Sequence, residues 1–147
     1  MSGDRKIRQG SGSDFPVATR WLSDMGLPSA DLTPEHMQQF LVASVDDRPV
    51  GMIGLEPFGK TGLLRSLIVA RNSRRNGLGK ALVDALETRA SRLGVTELWL
   101  LTIDAERYFL RLGYAIVDRA KAPPEIQATQ EYSSLCPGDT VLMRKYL

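Results

Sequence analysis

Leu63-Leu64-Arg65-Ser66-Leu67-Ile68-Val69-Ala70, then Arg71-Asn72-Ser73-Arg74-Arg75-Asn76, then Gly77-Leu78-Gly79-Lys80, is the stretch on which the reading of this chain turns. An apolar run long enough for a buried strand feeds a cationic turn that contains two glycines, and a strongly helical segment follows. Glycine removes the Cβ where backbone must approach another group closely. The unsatisfied N–H groups and positive dipole end of the following helix suit an anion, and Arg74 and Arg75 add fixed charge beside it. The pattern describes a pyrophosphate site, with a Gly-containing turn on a solvated basic surface as the plainer alternative.

Two familiar phosphate loops do not fit. A G-x-x-x-x-G-K-[ST] loop finds its G-K in Gly79-Lys80, but Ala81 follows where a hydroxyl is required and Arg74 stands where the first Gly belongs. A dinucleotide fingerprint requires G-x-G-x-x-G directly after the strand; Leu82 occupies the third Gly position, and residues 70–76 intervene between Val69 and Gly77.

The remainder of the chain supplies a frame. With 147 residues, 43% hydrophobic and 24% charged, it reads as one soluble domain spanning 1–147. A net charge of +2 is too small to argue for nucleic acid, and no apolar run is long enough for a bilayer. The lone Cys136 cannot form an internal disulfide and Met1–Gly10 lacks a signal-like apolar core, so the expectation is a cytoplasmic protein. The pattern predicts a weak first strand at 6–9 and a helix capped at Ser13-Asp14 with Phe15, Val17, Ala18, Trp21, Leu22 and Met25 inward. A short helix starts at Thr33-Pro34. Strands at 40–45 and 50–55 join through the turn 46–49, so that three antiparallel strands lead into the loop. Leu78, Leu82, Leu86, Ala90 and Leu93 mark the helix after the loop, which Gly94 stops. A strand at 95–102, a helix at 105–112 capped by Asp104, a strand at 114–118, a short helix at 125–131 and a last strand at 140–146 complete the chain. The lone His36, in the first turn of the short helix, reads as solvated rather than catalytic.

Arg74-x-x-Gly77-x-Gly79 resembles the [QR]-x-x-G-x-[GA] acyl-CoA loop of the GNAT superfamily of N-acetyltransferases, and Phe109-Leu110-Arg111-Leu112-Gly113-Tyr114 resembles the family's helix ending in Gly-[FY]. The resemblance covers nearly the whole chain. It implies the GNAT acyl-CoA N-acyltransferase fold: an α/β (α+β) protein whose central mixed sheet has splayed strands and flanking helices. It implies acetyl-CoA as cofactor, no metal, and direct transfer to a primary amine of a small molecule. By resemblance, Leu67, Ile68 and Val69 hold the pantetheine and the oxyanion through their backbone, and Arg74, Arg75, Asn76, Gly77, Leu78, Gly79 and Lys80 wrap the pyrophosphate. Leu64–Leu67, the 106–114 segment, Ala122-Pro123-Pro124 and Ser134-Leu135-Cys136-Pro137 are similar to small acetyltransferases associated with arsenic resistance, which implies an amino-acid-like organoarsenical or a phosphinate analogue as acceptor.

Two departures from the family pattern stand out. The Tyr that many members carry four residues before the Gly is Phe109 here, and its neighbour Tyr108, about 100° away around the helix, is the candidate acid, with a half-exposed helix aromatic as the alternative. The Asn that often contacts the cofactor after the strand is missing, with Thr102 and Asp104 nearest to it. Glu56, at a strand end, is the candidate base through a water. Arg65, a charge in an apolar strand, either grips an anionic substrate group or pairs with Glu56 or Glu97. The rival readings are a non-catalytic acyl-CoA sensor and a protein or peptide acetyltransferase. No nucleic-acid or membrane partner is expected, and a homodimer stays open.

Overall fold

The computed structural model describes residues 5–27, 29–74, 76–134 and 140–147. Its strands are β1 (Arg5–Gln9), β2 (Phe40–Val45), β3 (Arg48–Phe58), β4 (Thr61–Val69), β5 (Glu97–Thr102), β6 (Ala115–Val117) and β7 (Val141–Tyr146). The helices are α1 (Phe15–Asp24), α2 (Leu78–Arg92), α3 (Glu106–Arg111), α4 (Pro124–Gln127) and α5 (Gln130–Ser134). The strands form one mixed, mostly antiparallel sheet in the order β1-β2-β3-β4-β5-β7-β6. The chain divides into two compact units, residues 1–55 with 66–88 and residues 56–65 with 89–147, so β3, β4 and α2 contribute to both. Among the described residues no helix is long and apolar enough to cross a membrane.

In the first unit, α1 lays Ala18 and Leu22 against Leu32, Met37, Phe40, Met52 and Ile68, with Phe15 and Trp21 at the margin. Met25, expected on this face, is 52% exposed because it follows the last helical residue. The cap also differs from expectation. A 3-10 turn at Gly12–Asp14 precedes α1, and the Ser11 N–H donates to the Asp14 carboxylate at 2.9 Å. Arg8 reaches the same carboxylate with two bonds of 2.8 Å. The expected short helix is a 3-10 segment, Pro34–Gln39, and His36 is spent on its cap, its Nδ1 accepting from the Thr33 N–H at 3.1 Å.

The Arg8 hydrogen bonds hold the Asp14 carboxyl below the usual carboxylate range, against the opposing effect of its burial. A depressed folded-state pKa contributes stability above the ordinary Asp value of about 3.9 that disappears as pH falls through the lower native value. Arg8→Ala is therefore expected to cost about 1 kcal/mol at pH 7, Arg8 being half exposed, and much less at the lowest pH at which the protein stays folded. Urea denaturation of both proteins across that range checks it.

The turn between β2 and β3 is tighter than its composition suggests. Asp46 and Asp47 alone form it, with φ of +51° and +64°, and Val45 pairs directly with Arg48. Two left-handed residues match the twist of a two-residue hairpin, and Asp tolerates that conformation. Pro49 belongs to the strand, at a register shift between Ala43 and Ser44 where a missing N–H is tolerated.

In the second unit, Leu63, Trp99, Leu101, Ala122, Ile126 and Leu142 form the core. β5 runs antiparallel to β7 from Glu97↔Tyr146 to Thr102↔Val141, and β6 pairs on the far side of β7. The parallel β4–β5 ladder comprises Thr61–Leu63 against Glu97–Trp99 and, among the described residues, ends there. Three local expectations are corrected. Asp104 does not cap α3: the Ala105 N–H donates to Thr102 Oγ1 at 3.0 Å. The strand expected at 114–118 shortens to β6. The helix expected at 125–131 is two helices, because Thr129 Oγ1 donates to the Ile126 carbonyl at 2.6 Å and accepts from the Tyr132 N–H at 3.2 Å, ending α4 and starting α5.

Candidate active site

The sequence-predicted cofactor residues lie in the first unit, along the end of β4 and the start of α2. After Val69 the Ala70 N–H donates to the Val50 carbonyl at 2.7 Å, and a 3-10 turn, Arg71–Ser73, redirects the chain. Arg74 Nε donates to the Val69 carbonyl at 2.9 Å, tying the loop back to the strand. Asn76 Oδ1 accepts from the Leu78 N–H at 3.3 Å, and Gly77, at φ +81°, makes the left-handed step into the helix. A Cβ on Gly77 would meet nothing within 4 Å, so conformation rather than space selects glycine there. The helix is pinned from beneath by buried Leu78, Leu82, Val83 and Leu86. Gly51 of β3 lets it approach: a Cβ there would lie 3.0 Å from the Ile68 carbonyl oxygen and 3.1 Å from Leu82 Cδ1.

The loop therefore presents the first N–H groups of a 15-residue helix beside a tethered, exposed arginine, the donor set that a diphosphate requires. Lys80 forms an exposed ion pair with Asp84 at 2.7 Å, an arrangement that costs little to exchange for a ligand. Arg75, expected in this loop, and Cys136, noted at the tail, lie outside the described residues.

Leu67, Ile68 and Val69 follow an irregular residue within β4. Ser66 adopts φ +60°, a left-handed residue inside β4, and Thr61 to Ser66 are all buried where a regular strand in a half-covered sheet would alternate. Sequence reasoning missed Ser66, since nothing in a Leu-Arg-Ser-Leu string signals positive φ.

The second unit holds the remaining candidates. Arg65 is fully buried, its side chain 0% exposed. Its Nη1 donates to Glu56 Oε2 at 3.1 Å, and its Nη2 lies 3.7 Å from Glu131 Oε2. Glu56 is 29% exposed and Glu131 5%, so Glu56 is the member of the trio that reaches solvent. The pairing with Glu56, one of the two alternatives open for Arg65 in the sequence, is present; Glu97 instead accepts from Trp99 Nε1 at 3.0 Å. Glu131 was read only as part of a helix, and it is the residue that sequence reasoning missed here.

Tyr108 is half-buried on α3, edge-on to Phe109 at 5.4 Å, and Phe109 in turn packs edge-on to Tyr114 at 5.6 Å. Phe109 is thus a core aromatic with no hydroxyl to offer. Arg119 stacks 4.3 Å over the Tyr132 ring, donates to the Tyr132 carbonyl at 2.6 Å and reaches Thr140 Oγ1, anchoring α5 near its end. Among the described residues no group of three His, Cys, Asp or Glu is placed to hold a metal ion.

Comparison with known proteins agrees with this geometry. An uncharacterised N-acetyltransferase of Chlorobaculum tepidum is 31% identical over 93 residues, 63% of this chain and 59% of that protein, so the chain spans well under two thirds of that relative. N-acetylglutamate synthase from Neisseria gonorrhoeae, solved with coenzyme A and N-acetylglutamate, superposes with a TM-score of 0.85 at 20% identity, over 100% of this chain and 36% of that one. A GNAT-family acetyltransferase from Staphylococcus aureus superposes with a TM-score of 0.80 at 17% identity, over 98% and 99% of the two chains. At these identities the superpositions establish the fold. The profile of the acetyltransferase (GNAT) family matches residues 9–114, a span that contains the whole of the loop between β4 and α2 and ends at Gly113-Tyr114, and the chain belongs to that family.

Proposed function

We propose that this protein is an N-acetyltransferase that moves an acetyl group from acetyl-CoA to the primary amine of a small molecule, both compact units serving as one acetyltransferase domain. The observation that carries the reading is the loop after β4: a left-handed Gly77, an Asn76-capped helix start and Arg74 tethered to Val69, within the span that matches the family. Acetyl-CoA would supply an activated thioester. Residues 74–80 would hold its diphosphate, and the N–H groups after Ser66, on Leu67 to Val69, would donate to the pantetheine and to the thioester carbonyl oxygen. One such donor is worth about 10²–10³ in rate.

Glu56 is assigned the proton of the acceptor's ammonium, taken through a water, because it is the solvent-reaching carboxylate of its cluster. Arg65 enters through its hold on Glu56; to grip an acidic substrate group directly it would have to exchange one of its carboxylate partners for the ligand. Tyr108 is the proton source for the departing thiolate. That role is dispensable in part, since a thiol of pKa about 8.5 is a tolerable leaving group unprotonated.

The test is thiol release from acetyl-CoA, followed with a thiol-reactive dye, over amino acids, phosphinate and organoarsenical analogues of glutamate, polyamines and lysine peptides. Release with one small-molecule class is expected, and Arg74→Ala/Arg75→Ala is expected to abolish it together with cofactor binding. Tight acetyl-CoA binding with no release on any amine would overturn the enzyme reading in favour of a sensor. Release confined to peptides would overturn the small-molecule acceptor.

A further inference from the structure

Arg65, Glu56 and Glu131 come from three elements of one compact unit, β4, β3 and α5, and no sequence motif links them. A guanidinium at 0% exposure has to be paired. Here its two terminal nitrogens address two different carboxylates, at 3.1 Å and 3.7 Å. One carboxylate suffices to balance one guanidinium. The second, on Glu131 with its side chain 5% exposed, brings another buried carboxylate to the same cation.

We infer that Glu131 is a positioning residue for the acceptor end of the reaction, acting through Arg65 on Glu56. The guanidinium is a planar fork. With Nη2 drawn toward Glu131, the fork meets Glu56 through Nη1, on Oε2. Loss of the Glu131 charge removes the carboxylate that Nη2 faces and shifts the balance of the fork toward Glu56, whose two oxygens offer the bidentate geometry that arginine and carboxylate favour. Glu56 would then be neutralised by its own support and drawn in from solvent. Glu131 thus keeps Arg65 from over-holding Glu56. α5, which carries Glu131, is itself secured by Arg119 on the carbonyl and ring of Tyr132, the next residue.

This inference rests on the amine-acetylation reading, and the experiment separates the two. Glu131→Gln keeps the side chain's size and removes its charge. The expected result is a fall in kcat of about tenfold or more, part of the 10²–10⁴ that a positioned base supplies, with the KM for acetyl-CoA unchanged and Glu131→Asp recovering part of the loss. Alongside it, the carboxyl ¹³C resonance of Glu56, assigned with Glu56→Gln, is expected to shift between wild type and Glu131→Gln at one fixed pH. A folded Glu131→Gln protein with wild-type kcat and an unmoved Glu56 resonance would make Glu131 purely structural and overturn the inference. A displaced resonance in a protein that acetylates no amine would leave the coupling standing while the enzyme reading fails. An unmoved resonance overturns the coupling whatever the turnover.

Discussion

Arg65→Ala is expected to destabilise the protein by about 3–5 kcal/mol, the cost of removing one partner from a buried ion cluster. The loss is more than a missing contact. The alanine takes from Glu56 and from Glu131, the latter at 5% side-chain exposure, the cation they share. Urea denaturation at pH 7 measures the effect, and a loss below about 1 kcal/mol would show that the trio is far more hydrated than its burial implies. The companion variant Arg65→Gln/Glu131→Gln is expected to be more stable than Arg65→Gln alone, since removing both charges also removes the penalty of stranding one. That reversal separates an electrostatic cause from simple loss of packed volume.

Glu56→Gln is expected to lower kcat by about 10²-fold or more, the lower range for loss of a general base, with acetyl-CoA affinity retained. The amide oxygen of glutamine still accepts from Arg65, so the cluster keeps its geometry while the group that receives the proton is lost. Cofactor affinity should hold because the residues assigned to the cofactor, 67–69 and 74–80, do not include the trio. Titration of acetyl-CoA by calorimetry beside initial rates checks both halves. A kcat reduced less than about threefold would reassign proton removal to bulk water, and a lost cofactor affinity would show that Glu56 supports the loop instead.

What could be read from the chain was what depends on residues close together. The loop glycines read as places of close backbone approach, but Gly77 has φ +81° and open space where a Cβ would stand, so its conformation is the reason for glycine there. Thr33-Pro34 announced a helical start, and a 3-10 segment begins at Pro34. The apolar pattern of the long helix put Leu78, Leu82 and Leu86 inside, where they are. Boundaries failed where two local signals competed. Pro49 reads as part of the turn because proline favours turns, but a register shift gives it a place in β3. Thr129 gives no local sign of a boundary inside a helical stretch, although its hydroxyl ends one helix and starts the next. Glu131 could not have been found, because its meaning depends on a guanidinium on a strand far away in sequence, and an acid on a short helix ordinarily faces water. The charge of Arg65 did signal that a partner was required, without saying how many.

Ser66 sets the preferences of the strand against those of the molecule. Judged by strand propensity alone, a β-branched residue would serve better at the centre of β4. Such a residue resists φ +60°, the value found at Ser66, whereas a small polar side chain accepts it at modest strain. Because side chains alternate with period two, straightening that one residue would invert which peptide groups face which way from Leu67 onward. The choice of serine is a case of controlled frustration. The strand gives up some intrinsic stability at one residue, and in exchange the sequence before it, which carries the ion pairing of Arg65, and the sequence after it can be tuned by mutation independently, without either alternation pattern dictating the other.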